Sequence, residues 1–439
     1  MQAAISSHPA QYLADGRSRL CFDFFRGAVA REFSRHSDAS FWGGSVLQVA
    51  HDSRPVRHAV LAVAALRRSR DARSHTPFAP FAEAEYSRAL RDMAAEISDG
   101  GPNAALNAIT CAILFIAFEV LRENEIGALG HLESAIRILG QTQKGDWRQE
   151  SMRVRVVRLL ARLDLDASLY LGVRAPGLPV SELSSKVGTD ELEHLLDAAN
   201  LLLRRATYFK RAIADDYRYR QLGDAPIQAL DQQNQFLEEY RLMESRLRTL
   251  GGLDYNEDQR RRISLQQIQV KMGLTMMHGC LHREESLYDA FEGTFGEIVQ
   301  ICEEILMQDA SASESAFTLE RGLIHPLYWT ASKCRNPSLR RRALELLRRC
   351  PREGVWIAEI QARVAERVIE IEEQPIARFH GHGVSENLGL GYGGVHEFLR
   401  IHSADLTFDK MQRVIYMTYQ TCPNGLDGYW HVSLEALKY

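Results

Sequence analysis

The stretch HPLYWTASKCRNPSLRRRALELLRRCPREGVWIAEIQARVAERVIEIEE, His325–Glu373, predicts two amphipathic helices joined by a short corner. Asn336 is a typical N-cap residue, and Pro337 occupies the first helical position, where its missing N–H costs nothing. One face of the first helix is apolar at helical spacing and contains Leu339, Ala343, Leu346, Leu347 and Cys350. The arginines are expected largely on the opposite, solvated face, and Pro351 ends the helix.

The second predicted helix also has an apolar stripe and closes before Pro375. Its apolar positions are Ile357, Ile360, Val364, Val368 and Ile371. Two such helices form an αα-hairpin, and each stripe must be covered by further helices. The sequence therefore predicts an all-α fold, a large multi-helix domain of packed antiparallel helical pairs.

The composition is that of an ordinary globular protein. Of 439 residues, 45% are hydrophobic and 25% are charged, and the net charge of −4 is unlike that of a dedicated nucleic-acid binder, which is more often basic. Apolar runs of about 18 or more residues, as a membrane span requires, are absent, and Met1–Gly16 lacks the layout of a secretory signal. We expect no membrane association.

Seven cysteines are scattered along the chain, at Cys21, Cys111, Cys280, Cys302, Cys334, Cys350 and Cys422. Most of them lie in apolar helical stripes, where a thiol behaves as a small hydrophobic group. An odd, scattered set favours a reducing intracellular compartment over a disulfide framework. From this pattern we predict neither a metal nor a cofactor.

Three further segments bear on the organisation of the chain. The helix predicted after Asn103 is apolar nearly all round, which indicates a buried core helix rather than a membrane span, because Asn107, Thr110 and Glu119 interrupt it. The loop Ala175–Pro179 predicts a seam between two helical halves, 1–174 and 180–439. Residues 378–394 hold six glycines and predict an exposed loop.

Several short patterns occur together in a recognisable order. They are Val56-Arg57-His58-Ala59-Val60, Phe118-Glu119-Val120-Leu121, Ala128-Leu129-Gly130-His131-Leu132 and Lys333-Cys334-Arg335-Asn336-Pro337. From about Leu20 to the C-terminus the chain resembles the effector domain of fungal-specific transcription factors that carry a binuclear zinc cluster. The resemblance implies a helical regulatory domain in the nucleus, with the cytoplasm as the alternative location.

The zinc cluster of that family needs six cysteines, with Cys-x2-Cys pairs whose thiolates converge on each metal at about 2.3 Å. This sequence contains no such pair. We therefore expect no autonomous DNA binding. Either the chain starts downstream of a lost or truncated cluster, or the scaffold has been kept for another purpose.

Histidines provide the candidate ligand-binding residues. His278 and His282 stand four apart on a predicted helix, the spacing of a zinc pair, although the glutamate of the metalloprotease motif is missing. With His325 and Tyr328 they are candidates to line a cavity. The candidates for metal binding or general-base chemistry are His380 and His382 in the glycine-rich loop, together with His396 and His402 beyond it. The alternative is that these are ordinary core, surface and loop residues.

Arginines provide the candidate partner-binding surface. Arg340, Arg341 and Arg348 lie on the basic face and could contact phosphate or an acidic partner. The alternative is a solvated face paired partly with Glu345 and Glu353. Gly389-x-Gly391-x-x-Gly394 fits the dinucleotide fingerprint but follows no apolar strand, so we discount it. No residue is assigned a catalytic role.

Two functions remain open. The first is a regulator of a metabolic, for example secondary-metabolite, pathway that acts through partners in the transcription machinery, a DNA-binding partner or a small metabolite, with a homodimer as a further expectation. The second is a stand-alone enzyme or carrier of such a pathway. A start at Met1 favours the second, whereas the lack of a catalytic constellation favours the first.

Overall fold

The computed structural model describes residues 15–35, 40–70, 78–100, 103–142, 150–184, 191–219, 223–311, 317–380, 395–409 and 411–439. Helices make up 74% of the structure, which confirms the predicted all-α class. The chain forms two compact units. The N-terminal unit comprises Met1–Ala167, Gly177–Val187 and Phe317–Glu320, and the C-terminal unit comprises Ser168–Pro176, Gly188–Ala316 and Arg321–Tyr439. The division into halves 1–174 and 180–439 stays a prediction.

The described helices of the N-terminal unit follow one another closely along the chain. They are α1 (Gly16–Phe24), α2 (Ala30–Phe33), α3 (Val46–Asp52), α4 (Arg54–Ser69), α5 (Ala79–Asp99), α6 (Ala104–Leu121), α7 (Glu125–Gln141) and α8 (Glu150–Leu171), which belongs to this unit up to Ala167. π-Helical turns at Phe25–Val29 and Phe41–Ser45 and a 3-10 turn at Val180–Ser184 complete it. The pairs α4–α5 and α6–α7 pack against each other.

Helix α6 forms the centre of the N-terminal unit. It is long and apolar enough to cross a membrane, but every residue from Asn107 to Leu121 is buried inside the protein. Glu119 accepts a hydrogen bond from Asn124 and pairs with Arg122. The prediction of a buried core helix is therefore confirmed.

The C-terminal unit contains eight described α-helices and one sheet. The helices are α9 (Glu191–Phe209), α10 (Asp215–Arg218), α11 (Ile227–Gly251), α12 (Glu257–Gly279), α13 (Glu292–Ser311), α14 (Ile324–Lys333), α15 (Pro337–Arg349) and α16 (Ala358–His380). A π-helical turn, Lys210–Ala214, and 3-10 turns at Glu285–Phe291 and Glu397–Leu399 connect them.

Helices α14, α15 and α16 pack together, and the opening stretch predicted the last two of them. The Asn336 side chain accepts hydrogen bonds from the backbone N–H groups of Ser338 and Leu339 at the start of α15. Beyond α15, the Glu353 carboxylate accepts from three backbone N–H groups at the start of α14, so the corner between α15 and α16 also fixes the helix before them.

The prediction that the second helix ends before Pro375 was wrong. Helix α16 continues through Pro375 to His380, so residues 378–380 are helical and the rest of the predicted loop lies outside the described residues. A proline removes one backbone hydrogen bond from a helix, and α16 tolerates this loss because its preceding turns are anchored by buried Val364 and Val368.

A three-stranded antiparallel sheet at the C-terminus was not predicted. Its strands are β1 (Ser403–Asp409), β2 (Val414–Thr421) and β3 (His431–Lys438), in that order. Ile415 and Met417 of β2 and Leu437 of β3 pack with Val364 and Val368 of α16 in one apolar cluster. The sheet thus covers the apolar stripe of α16, a role that we had expected only helices to fill.

Candidate functional site

Charged side chains meet in the interior of the C-terminal unit, around the completely buried Glu285. Its Oε1 lies 2.5 Å from Arg218 Nη2, and its Oε2 lies 2.8 Å from Lys333 Nζ and 3.4 Å from Arg335 Nη2. The residues come from the end of α10, the 3-10 turn Glu285–Phe291, the end of α14 and the corner after it. We call this group and its extension through Glu372 the buried charge hub.

A second buried carboxylate, Glu372 of α16, extends the hub. Its Oε1 lies 2.7 Å from Arg335 Nη2 and accepts a hydrogen bond of 3.0 Å from the Ile401 N–H, and its Oε2 lies 2.8 Å from Arg340 Nη2. Arg335 therefore bridges Glu285 and Glu372. Arg340 Nη1 also lies 3.4 Å from Glu373 Oε1, so every charge in this chain of contacts meets an opposite one.

The segment that precedes β1 closes the hub. Lys333 Nζ donates to the backbone carbonyls of Ile401 and His402, at 3.2 and 3.3 Å. Arg400 binds both carboxylate oxygens of Asp289, at 2.8 and 2.7 Å, in the two-pronged geometry that favours arginine. The hub therefore joins four helices, a 3-10 turn and the entry to the sheet.

The corner Lys333–Pro337 explains how local structure aims these cations. Cys334 and Asn336 are extended, and Asn336 caps α15, so the chain turns sharply between two helices. Lys333 leaves the last turn of α14 and Arg335 leaves the corner, and both point inward. Helix α15 then presents Arg340 one turn later. Two residues of the family pattern, Lys333 and Arg335, thus supply two of the hub's cations.

Electrostatics keep the hub ionised. Burial alone would raise the pKa of Glu285, but the charges of Lys333, Arg218 and Arg335 outweigh it and lower that pKa to about 2. Burial and the neighbouring arginines lower the pKa of Lys333 to about 8. This shift favours the neutral amine, but Lys333 remains mostly charged at neutral pH. Paired charges of this kind hold the surrounding elements in place, and the Glu285 carboxylate stays ionised at pH 7.

His402 lies beside the hub and touches a second group of functional side chains. Its Nδ1 lies 3.0 Å from the Arg283 carbonyl oxygen, and its Nε2 lies 3.0 Å from Cys422 Sγ and 3.4 Å from Glu397 Oε1. Trp430 packs over the imidazole at 4.6 Å. Burial lowers the pKa of His402 and raises that of the Cys422 thiol to about 11.

The predicted histidine pair does not share a helix. Helix α12 ends at Gly279, so His278 lies in its last turn, half-buried against Phe291, and His282 lies beyond it and is exposed. The expectation that helical spacing puts both imidazoles on one face was wrong, because the helix ends between them. Their role in ligand binding stays a prediction.

The other predicted ligand-binding residues are dispersed. His325 is buried in α14 and stacks on Trp356 at 4.8 Å, and burial lowers its pKa to about 3. Tyr328 packs against the apolar cluster that contains Val364. The side chain of His380, at the end of α16, and all of His382 lie outside the described residues. That these residues line a cavity stays a prediction.

The predicted basic surface divides into interior and exterior residues. Arg340 is completely buried in the hub, so the prediction that it lies on a solvated face was wrong: Glu372 of the neighbouring helix draws it inside. Arg341 pairs with Glu373 and Arg348 pairs with Glu366, and both arginines are exposed by about half of their side-chain surface, 54% and 51%. Their partner-binding role stays a prediction.

Arg348 borders an open groove of about 500 Å³. The groove combines cations, carboxylates and apolar walls, and its lining includes Arg348, Arg352, Ile357, Glu359, Arg363 and Glu366. It lies between the hairpin helices and the C-terminal residue, Tyr439. A surface of this composition suits a charged peptide segment or a small polar molecule better than an apolar ligand.

Sequence reasoning missed Arg218, Glu285, Lys333, Arg335 and Glu372. A signal existed for the lysine and the arginine of the Lys333–Pro337 corner, because charged residues between two amphipathic helices must be either solvated or paired. It could not identify their partners, which stand 48, 50 and 37 positions away along the chain.

Comparisons with known proteins agree with the resemblance. The profile of the fungal specific transcription factor domain matches residues 19–355, which leaves Glu372 and the sheet outside the match. The aspercryptin biosynthesis cluster-specific transcription regulator atnN of Emericella nidulans is 39% identical over 71 residues, 16% of this chain and 12% of that protein, so the chain matches only a small part of this relative. No solved structure shows significant similarity. The chain belongs to the family defined by the fungal-specific transcription factor domain.

Proposed function

We propose that this protein regulates transcription of the genes of a metabolic pathway, a secondary-metabolite pathway in the first instance, by binding a protein partner or a metabolite. The family match over residues 19–355 carries the regulatory part of the proposal. The pathway part is supported by the name of atnN, the relative that matches over 71 residues, which is a biosynthesis cluster-specific regulator. We expect the protein to act in the nucleus, and a fluorescent fusion tests this expectation.

Charge pairing in the C-terminal unit favours a regulator over an enzyme. The hub's carboxylates are ionised and bound by arginine and lysine, so they offer no proton donor or acceptor to a substrate. If this unit recognises a partner, it therefore does so through residues on its surface. We place this recognition at the groove beside Arg348, where exposed charges of both signs surround Ile357.

Deletion of the gene in its host tests the proposal. Transcripts of neighbouring genes and metabolites are measured in the same cultures, and a strain that carries the restored gene serves as control. We expect the transcripts of a contiguous gene set to fall together. Unchanged transcripts with accumulation of one intermediate would contradict the regulator and favour the alternative, an enzyme or carrier.

The groove is tested by complementation with two arginine variants. Arg348→Glu reverses a charge inside the groove, and Arg341→Glu reverses one on the same helix, of similar exposure, outside it. We expect Arg348→Glu to reduce transcripts and Arg341→Glu to restore them. Equal restoration by both variants at equal protein levels would show that the groove is not the binding surface.

A further inference from the structure

Three potential ligand atoms converge where the C-terminal sheet begins. Glu397 lies in the 3-10 turn before β1, His402 directly precedes β1, and Cys422 directly follows β2. Antiparallel pairing of Ser403 with Gln420 brings the two strand ends together. One carboxylate oxygen, one imidazole nitrogen and the thiol sulfur all lie within 4.8 Å of one another.

The hydrogen bonds of His402 orient its imidazole as a ligand. The Arg283 carbonyl oxygen, 3.0 Å from Nδ1, can only accept a hydrogen bond, so Nδ1 carries the proton. Nε2 therefore presents its lone pair to Cys422 Sγ and Glu397 Oε1. A backbone carbonyl that binds the other ring nitrogen is the usual outer-shell partner of a metal-bound histidine, and it fixes the required tautomer.

Glu397 is held in a similar way. Its Oε1 accepts from the Glu285 N–H at 2.6 Å, and its Oε2 accepts from the Ser286 N–H at 2.8 Å. These bonds point the carboxylate at His402 and leave each oxygen a further lone pair. Oε1 and the Nε2 lone pair face each other at 3.4 Å, an arrangement of two electron-rich atoms that a cation between them would stabilise.

The nitrogen–oxygen distance fits a tetrahedral zinc-type ion, and the nitrogen–sulfur distance requires an adjustment of the thiol. Bond lengths of about 2.0–2.1 Å to nitrogen and oxygen and about 2.3 Å to sulfur place N and O about 3.4 Å apart and N and S about 3.6 Å apart. The nitrogen–oxygen pair already stands at 3.4 Å, whereas the nitrogen–sulfur pair stands at 3.0 Å, closer than one tetrahedral ion would hold them. Rotation of the Cys422 side chain would supply the difference.

We propose that Glu397, His402 and Cys422 form a binding site for a divalent cation of the zinc class, with water as the fourth ligand. On binding, the Cys422 S–H bond breaks, its proton leaves to solvent, and the sulfur forms a bond to the metal. One thiolate and one carboxylate then balance the charge of the ion. Glu397 is partly exposed, with 24% of its side chain accessible, and provides the entry path.

This inference is independent of the proposed regulatory function. The bound ion would tie the 3-10 turn of Glu397, the strands β1 and β2 and the backbone at Glu285 to one centre. Glu285 is the central anion of the hub, where the helices of the C-terminal unit meet the entry to its sheet. A bound metal ion would therefore stabilise this unit at that junction.

The test uses the full chain, freed of metal with a chelator and titrated with Zn²⁺ and with Co²⁺. We expect one ion per chain, a thiolate-to-Co²⁺ charge-transfer band, and a higher melting temperature with Zn²⁺. Cys422→Ser should remove the band and weaken Zn²⁺ binding by more than the about 10–100-fold that loss of an outer-shell partner causes. Cys350→Ser, at a buried cysteine elsewhere in the same unit, should retain the band.

A wild-type chain without the band, or a Cys422→Ser chain that keeps it, would overturn the proposal. If Cys422→Ser does not fold, X-ray absorption of the Zn²⁺-loaded wild-type chain decides the matter. One sulfur among nitrogen and oxygen ligands supports the site, and a shell without sulfur refutes it, because zinc bound to surface histidines alone would give that result.

Discussion

Removal of the Glu372 charge provides the sharpest test of the buried charge hub. Glutamine keeps the shape of the side chain but leaves Arg335 and Arg340 without the carboxylate that lies 2.7 and 2.8 Å from them. Its amide group also faces guanidinium groups that can only donate hydrogen bonds. The variant Glu372→Gln therefore leaves two buried cations incompletely paired.

The expected loss of stability is large. Removing one partner of a buried ion pair costs about 3–5 kcal/mol. We expect the lower end, about 3 kcal/mol, because Arg335 and Arg340 each keep a second carboxylate at 3.4 Å, from Glu285 and Glu373. Such a loss is a substantial fraction of the about 5–15 kcal/mol by which a folded protein is stable.

The assay is urea unfolding at pH 7 and 25 °C, followed by circular dichroism and tryptophan fluorescence to establish whether the transitions coincide. Glu370→Gln is the matched control: it lies on the same helix, 41% of its side chain is accessible, and it pairs with Arg367 at 2.9 Å. An exposed pair contributes about 1 kcal/mol or less. Equal losses for Glu372→Gln and Glu370→Gln would refute the reasoning.

A double-mutant cycle tests whether the loss comes from pairing with Arg340. Arg340→Met removes the cation and keeps an apolar side chain of similar length. Because the two residues contact each other, the combined variant should lose less stability than the sum of the single losses, by about 1–3 kcal/mol. Additive losses would show that Glu372 acts through something other than this pair.

Three further predictions test local features by the same unfolding assay. Burial lowers the pKa of His325 to about 3, so this residue binds fewer protons in the folded than in the unfolded protein between pH 3 and 6.5, and stability rises with pH in that window. Between pH 5 and 7 His325 accounts for about 2 kcal/mol of this rise in the free energy of unfolding. His325→Gln should remove that part of the rise, and an unchanged pH dependence would contradict the prediction. Asn336→Ala removes the cap of α15 and should cost about 1 kcal/mol, whereas no loss would mean that water replaces the cap. Gly130 lies in open space on α7, so Gly130→Ala should stabilise the protein by about 1 kcal/mol. Gly273→Ala should destabilise it by about 1–3 kcal/mol, because the new Cβ would lie 2.6 Å from Tyr240. A change of the same sign in both variants would refute the packing argument.

Local signals predicted the helices well where they were strong. Asn336 and Pro337 marked the start of α15, and the all-round apolar pattern identified α6 as a core helix. The same reasoning failed at Pro375, where burial of the preceding turns carries α16 onward. It also missed the sheet, although β2 is rich in β-branched and aromatic residues, because three short strands hold together only when paired.

Site residues were harder to predict than helices. A helical wheel assigned Arg340 to solvent, and it could not show that Glu372 of the next helix would face it. Likewise, spacing paired His278 with His282, but the end of α12 at Gly279 separates them. Periodicity describes one element at a time, whereas a site depends on side chains from several elements.

The sequence by itself determined the family, the helical class and the position of the hairpin, because caps, prolines and apolar spacing act over a few residues. Only the tertiary structure decided that Glu285 meets Arg218 and Lys333, and that His402 meets Cys422. Coulomb energy and metal ligation depend on distances of a few ångströms and on exclusion of water, and neither quantity is set by separation along the chain.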